Sequence, residues 1–339
     1  MIARLRGLLV GLGVVGVGML FLLATLRWGS VTPDYDAPRS VYLLDPSDWG
    51  GVRSQFESGG VLSHPARLTF LARATGWEAQ IKPGHYAIPA GMSAWDILQK
   101  LRRGERDPIR LLIPPGLDET RLYASIVAQM AFDSTAFAGA VQEDGLFAEL
   151  GIARSDLPGY LFAETYFVYW LSDPETLLQK VVTESIAYAE RLERTSTNPF
   201  DLSAREAIIM ASIVEWEALY DDEKPRIAGV YLNRLRDRWP LQADPTIQHI
   251  ILEQEGQKRR LFFKDYDIPH PYNTYLRRGL PPGPVTNPSR TSLTAVFEPE
   301  RHDYYYFVAT GDGRHRFSRT LSEHQRAAQA YYRTLRERR

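Results

Sequence analysis

Arg205-Glu-Ala-Ile-Ile-Met-Ala-Ser-Ile-Val-Glu-Trp-Glu-Ala-Leu-Tyr220 reads as a helix that is apolar almost throughout until it reaches a glutamate, Glu215. At about 100° per residue, Glu215 shares a face with Ala204, Ile208, Ala211, Ser212 and Leu219. Two readings of this carboxyl compete on the residues alone. Buried on such a face it is held protonated near neutral pH, as a general acid requires; otherwise it is a carboxylate at the edge of a core helix. Ser212 likewise either bonds Glu215 or bonds back to its own helix. Glu217, two residues on, falls on the opposite face and reads as a surface or structural carboxylate.

Ser203 is placed to cap this helix, and helices are also expected over 173–194 and 224–236. Upstream, Ile88-Pro-Ala-Gly-Met-Ser93 and Ile113-Pro-Pro-Gly-Leu-Asp118 open two copies of one pattern: strand, Pro/Gly turn, Ser or Asp cap, amphipathic helix. Helices are predicted over 47–58 and 64–75, and extended chain over 77–87 and, from its aromatic and β-branched residues, over 160–170. Gly311-Asp-Gly313 between Tyr304–Ala309 and Arg314–Ser318 predicts a hairpin, and the last helix runs over 322–338. The fold class is therefore α+β.

The whole chain narrows the function. With 339 residues, 44% of them hydrophobic, it can bury a large core in about two domains. Forty basic against 41 acidic residues leave a net charge of −1, which excludes a global field for nucleic acid. The absence of Cys removes thiol nucleophiles and thiolate metal sites. None of the seven His forms an i, i+3 or i, i+4 pair on one helix, so no metal is expected. There is no Gly-x-Ser-x-Gly elbow, phosphate loop or His-Glu-x-x-His, and no cofactor is expected.

Residues 7–26 carry no charge and follow Arg4 and Arg6; as a helix they cross a hydrocarbon core of about 30 Å, longer than a signal-peptide core. The basic short end stays in the cytoplasm, which places the bulk of the chain outside as a single-pass inner-membrane protein. The expected organisation is a cytoplasmic end at 1–6, a transmembrane helix at 7–26, a Pro-containing linker at 27–40, a small βα module at 41–125 and a mixed helical domain at 126–339.

Polar loops follow Glu215. Gln242, Asp244 and Thr246 alternate in Leu241-Gln-Ala-Asp-Pro-Thr246, and Tyr272-Asn-Thr-Tyr275 sets two phenols around an amide and a hydroxyl. Such side chains bond sugar hydroxyls and N-acetyl groups while rings cover sugar faces; plain turn chemistry is the competing reading. With Ser212, the candidate substrate-binding residues are Gln242, Asp244, Thr246, Asn273 and Tyr275, in a cleft lined by 241–246 and 272–283.

The ordered segments Leu157-Pro-Gly-Tyr-Leu-Phe-Ala-Glu-Thr-Tyr166, Ala211-Ser-Ile-Val-Glu215, Asn233-Arg-Leu235, Leu241–Thr246, Tyr272–Tyr275, Gly279-Leu-Pro-Pro-Gly283, Tyr306-Phe-Val308 and His315-Arg-Phe-Ser318 resemble the MltG, or YceG-like, family of endolytic murein transglycosylases. The Ile-Pro-x-Gly repeat resembles that family's LysM-like module. Two positions depart from the family pattern: Ala218 stands where Thr is usual, and Trp216 replaces a polar residue. The resemblance implies that Glu215 is the single catalytic acid/base. It also implies that peptidoglycan glycan strands are the substrate, that the muramic-acid C6 hydroxyl is the nucleophile and that cell-wall synthases are partners. A glycosidase that uses water generally needs two carboxylates; an internal nucleophile removes that need. The other hypothesis is a non-catalytic glycan-binding or scaffold protein of wall synthesis.

Overall fold

In a computed structural model the described residues are 17, 24, 25, 27–196 and 200–337. The segments 1–6 and 7–26 lie outside them save Val17, Ala24 and Thr25, and no described helix is long and apolar enough to cross a membrane. The chain divides into two compact units, the first formed by residues up to Arg110 together with Phe167–Ser172, the second by Leu111–Tyr166 and Asp173–Arg339.

The first unit holds strand β1 (Arg39–Leu43), helices α1 (Trp49–Ser58) and α2 (Pro65–Thr75), strand β2 (Gly84–Ile88) and helix α3 (Ala94–Arg103). β1 and β2 pair antiparallel with Val41 opposite Tyr86. Local chemistry sets the boundaries. Asp48 caps α1 by accepting from the N–H groups of Gly50 and Gly51, Ser93 caps α3 by accepting from Asp96 N–H, and α2 and α3 end at Gly76 and Gly104, whose φ of 68° and 69° few other residues adopt. The apolar faces close over Val41, Phe56, Leu68, Tyr86, Ile97 and Leu101. His85 is buried beside them but satisfied, Nδ1 against Asp107 O and Nε2 against Ser40 Oγ, each at 2.9 Å. The stretch expected to be extended from Trp77 starts instead as a 3₁₀ turn, Trp77–Gln80. The turn lets the Trp77 ring meet Trp95 at 4.8 Å and receive the Arg102 guanidinium at 4.4 Å, contacts within the unit that an extended chain does not specify.

Strands β3 (Ile109–Leu112) and β4 (Thr165–Val168) carry the chain from one unit to the other. The second unit is mainly helical: α4 (Glu119–Val127), α5 (Ser134–Gln142), α6 (Asp144–Leu150), α7 (Leu157–Tyr160), α8 (Pro174–Thr195), α9 (Ala204–Glu217), α10 (Lys224–Arg236), α11 (Asp244–Glu255), α12 (Arg290–Phe297) and α13 (Leu321–Glu337). The hairpin of β5 (Tyr306–Ala309) and β6 (His315–Ser318) pairs antiparallel with Phe307 opposite Phe317, turning through Gly311 and Gly313 at φ 93° and 86°. The aromatic run at 160–170 is extended only in part, because Pro158, whose ring presets a helical φ, starts the short α7 before β4.

The helix α9 is the centre of this unit and packs against α7, α8, α10, α11 and α12. Residues 207–214 are all buried, so the helix is apolar on every side, as a central helix must be. A capping box starts it: Glu206 N–H donates to Ser203 Oγ at 3.3 Å and Ser203 N–H donates to Glu206 Oε2 at 3.0 Å. It ends at Glu217, with Glu215 in its last turn.

Candidate active site

The Glu215 side chain is 7% exposed, yet its surroundings are not the apolar face read from the sequence. Oε2 accepts the Ser289 N–H at 2.8 Å, the Ser289 hydroxyl at 2.5 Å and the Ser292 hydroxyl at 2.6 Å. Lys224 Nζ lies 3.2 Å from Oε1 and 3.4 Å from Oε2. Burial thus comes with a nest of donors, because α9 meets the N-terminus of α12 at this level. Ser289 is the N-cap of α12 and also accepts from Ser292 N–H. A helix N-terminus with free N–H groups and a positive dipole end suits a carboxylate.

The segment leading to Ser289 is fixed at several points. Arg205 Nη2 donates to Pro282 O at 2.6 Å while its Nε pairs with the buried Asp156 at 2.7 Å. Val285 N–H donates to Ser212 Oγ at 3.0 Å. Asn287 is fully buried; its Nδ2 donates to Pro114 O at 2.8 Å and its Oδ1 accepts from Leu117 N–H at 2.8 Å. Thr286 Oγ1 donates to Leu117 O at 2.6 Å. The residues that hold Glu215 are therefore held in turn by a loop far away in sequence.

Among the residues singled out from the sequence, three point inward. Ser212 is fully buried and donates to Ile209 O at 2.7 Å while accepting from Val285, so it braces the 285 loop and does not bond Glu215. Thr246 donates to Ala243 O at 2.7 Å, and Asn273 donates to Tyr266 O and Ile268 O and accepts from Tyr275 N–H. Such bonds leave these two fully buried side chains engaged with their own loops. Of the other three, Gln242 and Asp244 are exposed, whereas Tyr275 is half-buried against the Ile247, Ile250 and Ile251 cluster. Gln242 is exposed in the left-handed region, at φ 50°, with its N–H on Thr274 O; Asp244 is exposed and accepts the Tyr275 hydroxyl at 2.5 Å.

Glu217 is the largest departure from the sequence reading. It sits beside Tyr231, Arg234 and Asp244, and burial, reinforced by the Asp244 carboxylate, pushes its carboxyl up to about 8. The periodicity gave its direction correctly but not that α10 and α11 cover it. At Trp216, one of the two positions that depart from the family pattern, Nε1 donates to Gly116 O at 2.8 Å and Lys258 Nζ stands 3.4 Å above the ring. Desolvation there lowers the Lys258 ammonium to about 8. A cavity of about 450 Å³ opens beside the 284–286 segment, lined by Asp118, Ser155, His249, Glu253, Tyr272 and Thr286 among others. Among the described residues no group of three or more His, Asp or Glu is placed to hold a metal ion.

Lys224, Ser289 and Ser292 were missed by the sequence reading. The available signal was local: Ser289 precedes an apolar run and so reads as an N-cap, but its partner lies 74 residues away.

A buried carboxyl oriented by hydroxyls can give and take a proton at a fixed position. The chain is 29% identical over 336 residues to an endolytic murein transglycosylase of Bacillus subtilis (strain 168), covering 93% of this chain and 91% of that one. It is 27% identical over 308 residues to an endolytic murein transglycosylase of Streptococcus pneumoniae (strain R6), covering 81% of this chain but only about half, 55%, of that protein's length. A crystal structure of a yceG-like protein from Listeria monocytogenes superposes with a TM-score of 0.57 at 26% identity, covering 85% of this chain and 97% of that one. The mixed α and β fold is that of the Listeria protein. The model of the YceG-like family matches residues 44–330, and the chain belongs to that family.

Proposed function

We propose that Glu215 is the single catalytic acid/base of this chain. The activity is that of a peptidoglycan-cleaving lytic transglycosylase, the function named in its relatives from Bacillus subtilis and Streptococcus pneumoniae. It cleaves the bond between N-acetylmuramic acid and N-acetylglucosamine without water and leaves anhydro-muramic ends, terminating nascent strands. Glu215 protonates the glycosidic oxygen; as carboxylate it then removes the proton of the muramic C6 hydroxyl, which attacks C1, so the proton taken up restores the acid. The supporting observation is the placement of its carboxyl: Oε2 is fixed by Ser289 and Ser292, whereas among the described residues Oε1 receives Lys224 alone, which leaves Oε1 for the substrate. Fixing one oxygen orients the other, and orientation is a large part of such catalysis.

In this reading Gln242, Asp244 and Tyr275 contact the glycan from the exposed loops, residues 41–125 are a LysM-like module that holds the strand, and residues 126–339 carry the chemistry. The enzyme works outside the cytoplasm, anchored in the inner membrane by 7–26 and accessible to wall synthases. Peptidoglycan strands incubated with the purified protein are expected to yield fragments with anhydro-muramic ends. Glu215→Gln should lower that rate by at least about 10²- to 10⁴-fold with the fold retained. Undiminished cleavage by Glu215→Gln removes Glu215 from its role, and reducing ends in place of anhydro ends identify a hydrolase.

A further inference from the structure

Lysine is almost never fully buried unless it is paired, and the Lys224 side chain is only 5% exposed. Its Nζ has too many acceptors, not too few. Asp221 Oδ1 lies at 2.7 Å, Ser289 Oγ at 3.1 Å, Glu215 Oε1 at 3.2 Å, Thr291 Oγ1 at 3.2 Å and Glu215 Oε2 at 3.4 Å. An ammonium group has three protons, so these bonds cannot all be made at once. The short contact goes to Asp221, whose side chain is 68% exposed, and the long ones go to Glu215, which is buried. Thr291 Oγ1 in turn donates to Asp221 at 3.2 Å and shares a hydrogen bond with Ser289 Oγ at 2.8 Å. The contacts close a ring from Glu215 through Ser289, Thr291, Asp221 and Lys224 back to Glu215.

We infer that Lys224 is a positioning residue whose ammonium group, moored to Asp221, serves as the movable counter-charge for Glu215 through both halves of the cycle. The inference rests on the reading of Glu215 as the acid/base. While Glu215 carries its proton, Lys224 is paired with Asp221 and the buried acid has no charge to answer. When the proton passes to the glycosidic oxygen and the C1–O bond breaks, a carboxylate is left in a buried place, where an unpaired charge is costly. The ammonium already stands within hydrogen-bond reach of it. When the C6 oxygen bonds C1 and its proton returns to Glu215, Lys224 reverts to Asp221. Proton and electron pairs balance without water or a second acid.

Among the described residues the one charged group in hydrogen-bond contact with the Glu215 carboxyl is Lys224, while Lys258 stands over the Trp216 ring. On α12, Arg290 lies over the Tyr188 ring of α8 and pairs with Glu164; on α11, Asp244 opposes Glu217; near α7, Asp156 is bound to Arg205 at the far end of α9. Lys224 and Asp221 remain, and Lys224 holds the Asp221 carboxyl below its usual range.

The test uses the full-length chain and the rate of anhydro-end formation across pH, with Glu215→Gln as the inactive reference. Lys224→Met should lower kcat by about 10- to 100-fold with KM changed less than about threefold, and move the high-pH limb of kcat upward by about one pH unit. The sign follows from the charge: without the ammonium the carboxylate form is less favoured, and the acid persists to higher pH. Asp221→Asn gives the ammonium wholly to Glu215 and should move the same limb downward. Lys224→Arg should recover at least about a tenth of the wild-type kcat. A wild-type profile in Lys224→Met, or in Asp221→Asn if Lys224→Met does not fold, overturns the inference. Activity retained by Glu215→Gln is a different result, which defeats the acid/base reading itself.

Discussion

Replacing Glu217 by Gln removes one titration from the end of the central helix α9 while keeping the shape of the side chain. In the folded protein this carboxyl is pushed up to about 8, first by burial and then by the Asp244 carboxylate, against the smaller opposing effects of the Tyr231 hydroxyl and the Arg234 guanidinium. In the unfolded chain it titrates at the ordinary 4.5. The folded state therefore binds the proton more tightly. The resulting stability is fully present below pH 4.5 and is lost as the pH rises through 8. The loss is about 1.4 kcal/mol per pH unit inside that window and amounts to about 4–5 kcal/mol once the window is crossed. The amide of the Glu217→Gln variant carries no such proton, so the difference in stability between the two proteins should change by that amount between about pH 5 and pH 9, in favour of the variant at high pH. Urea unfolding of both proteins at a series of pH values measures it, and using the difference cancels every other titrating group. If the two stabilities run parallel within about 0.5 kcal/mol from pH 5 to 9, Glu217 is not held as an acid and its placement between α10 and α11 is wrong.

Two further outcomes test the scaffold around Glu215. A Cβ at Gly159 would lie 2.5 Å from Pro284 Cγ and 3.1 Å from Ile208 Cγ2, so Gly159→Ala should cost about 1–3 kcal/mol in thermal unfolding and also lower kcat, because Pro284 belongs to the segment that positions Ser289. Ser292→Ala deletes one of the four donors on Oε2 and should reduce kcat about tenfold, with a change in stability of about 1 kcal/mol or less, read from steady-state rates beside a melting curve.

Much of the helical frame could be read from the chain because its signals are local. Ser203 with Glu206 marks the start of α9, apolar residues run through it, and Gly311 and Gly313 permit the hairpin turn. Side-chain partners were a different matter. Periodicity put Glu215 on a mainly apolar face and left open whether it is buried; its side chain is buried, but its partners Lys224, Ser289 and Ser292 come from 9, 74 and 77 residues away, and no periodicity encodes such distances. The same limit applies in reverse to Ser212, Thr246 and Asn273. Their types suit sugar recognition, yet buried polar groups must first satisfy backbone, and here Val285 N–H, Ala243 O, Tyr266 O and Ile268 O claim them. Gln242 remains exposed on a turn after Leu241 that holds it in the left-handed region with its N–H on Thr274, whereas Tyr275 is half-buried against the Ile247, Ile250 and Ile251 cluster.

The cradle of Glu215 also has a consequence for biosynthesis. The glutamate is translated 74 residues before Ser289 and 77 before Ser292, and the segment that carries those serines is tied back to Pro114 and Leu117 through Asn287. A nascent or prematurely ended chain that stops short of residue 289 contains the glutamate without the hydroxyls that aim it. With Glu215 as the proposed acid/base, activity becomes a late event in the life of the polypeptide, and truncated products that end before residue 289 are expected to be inactive.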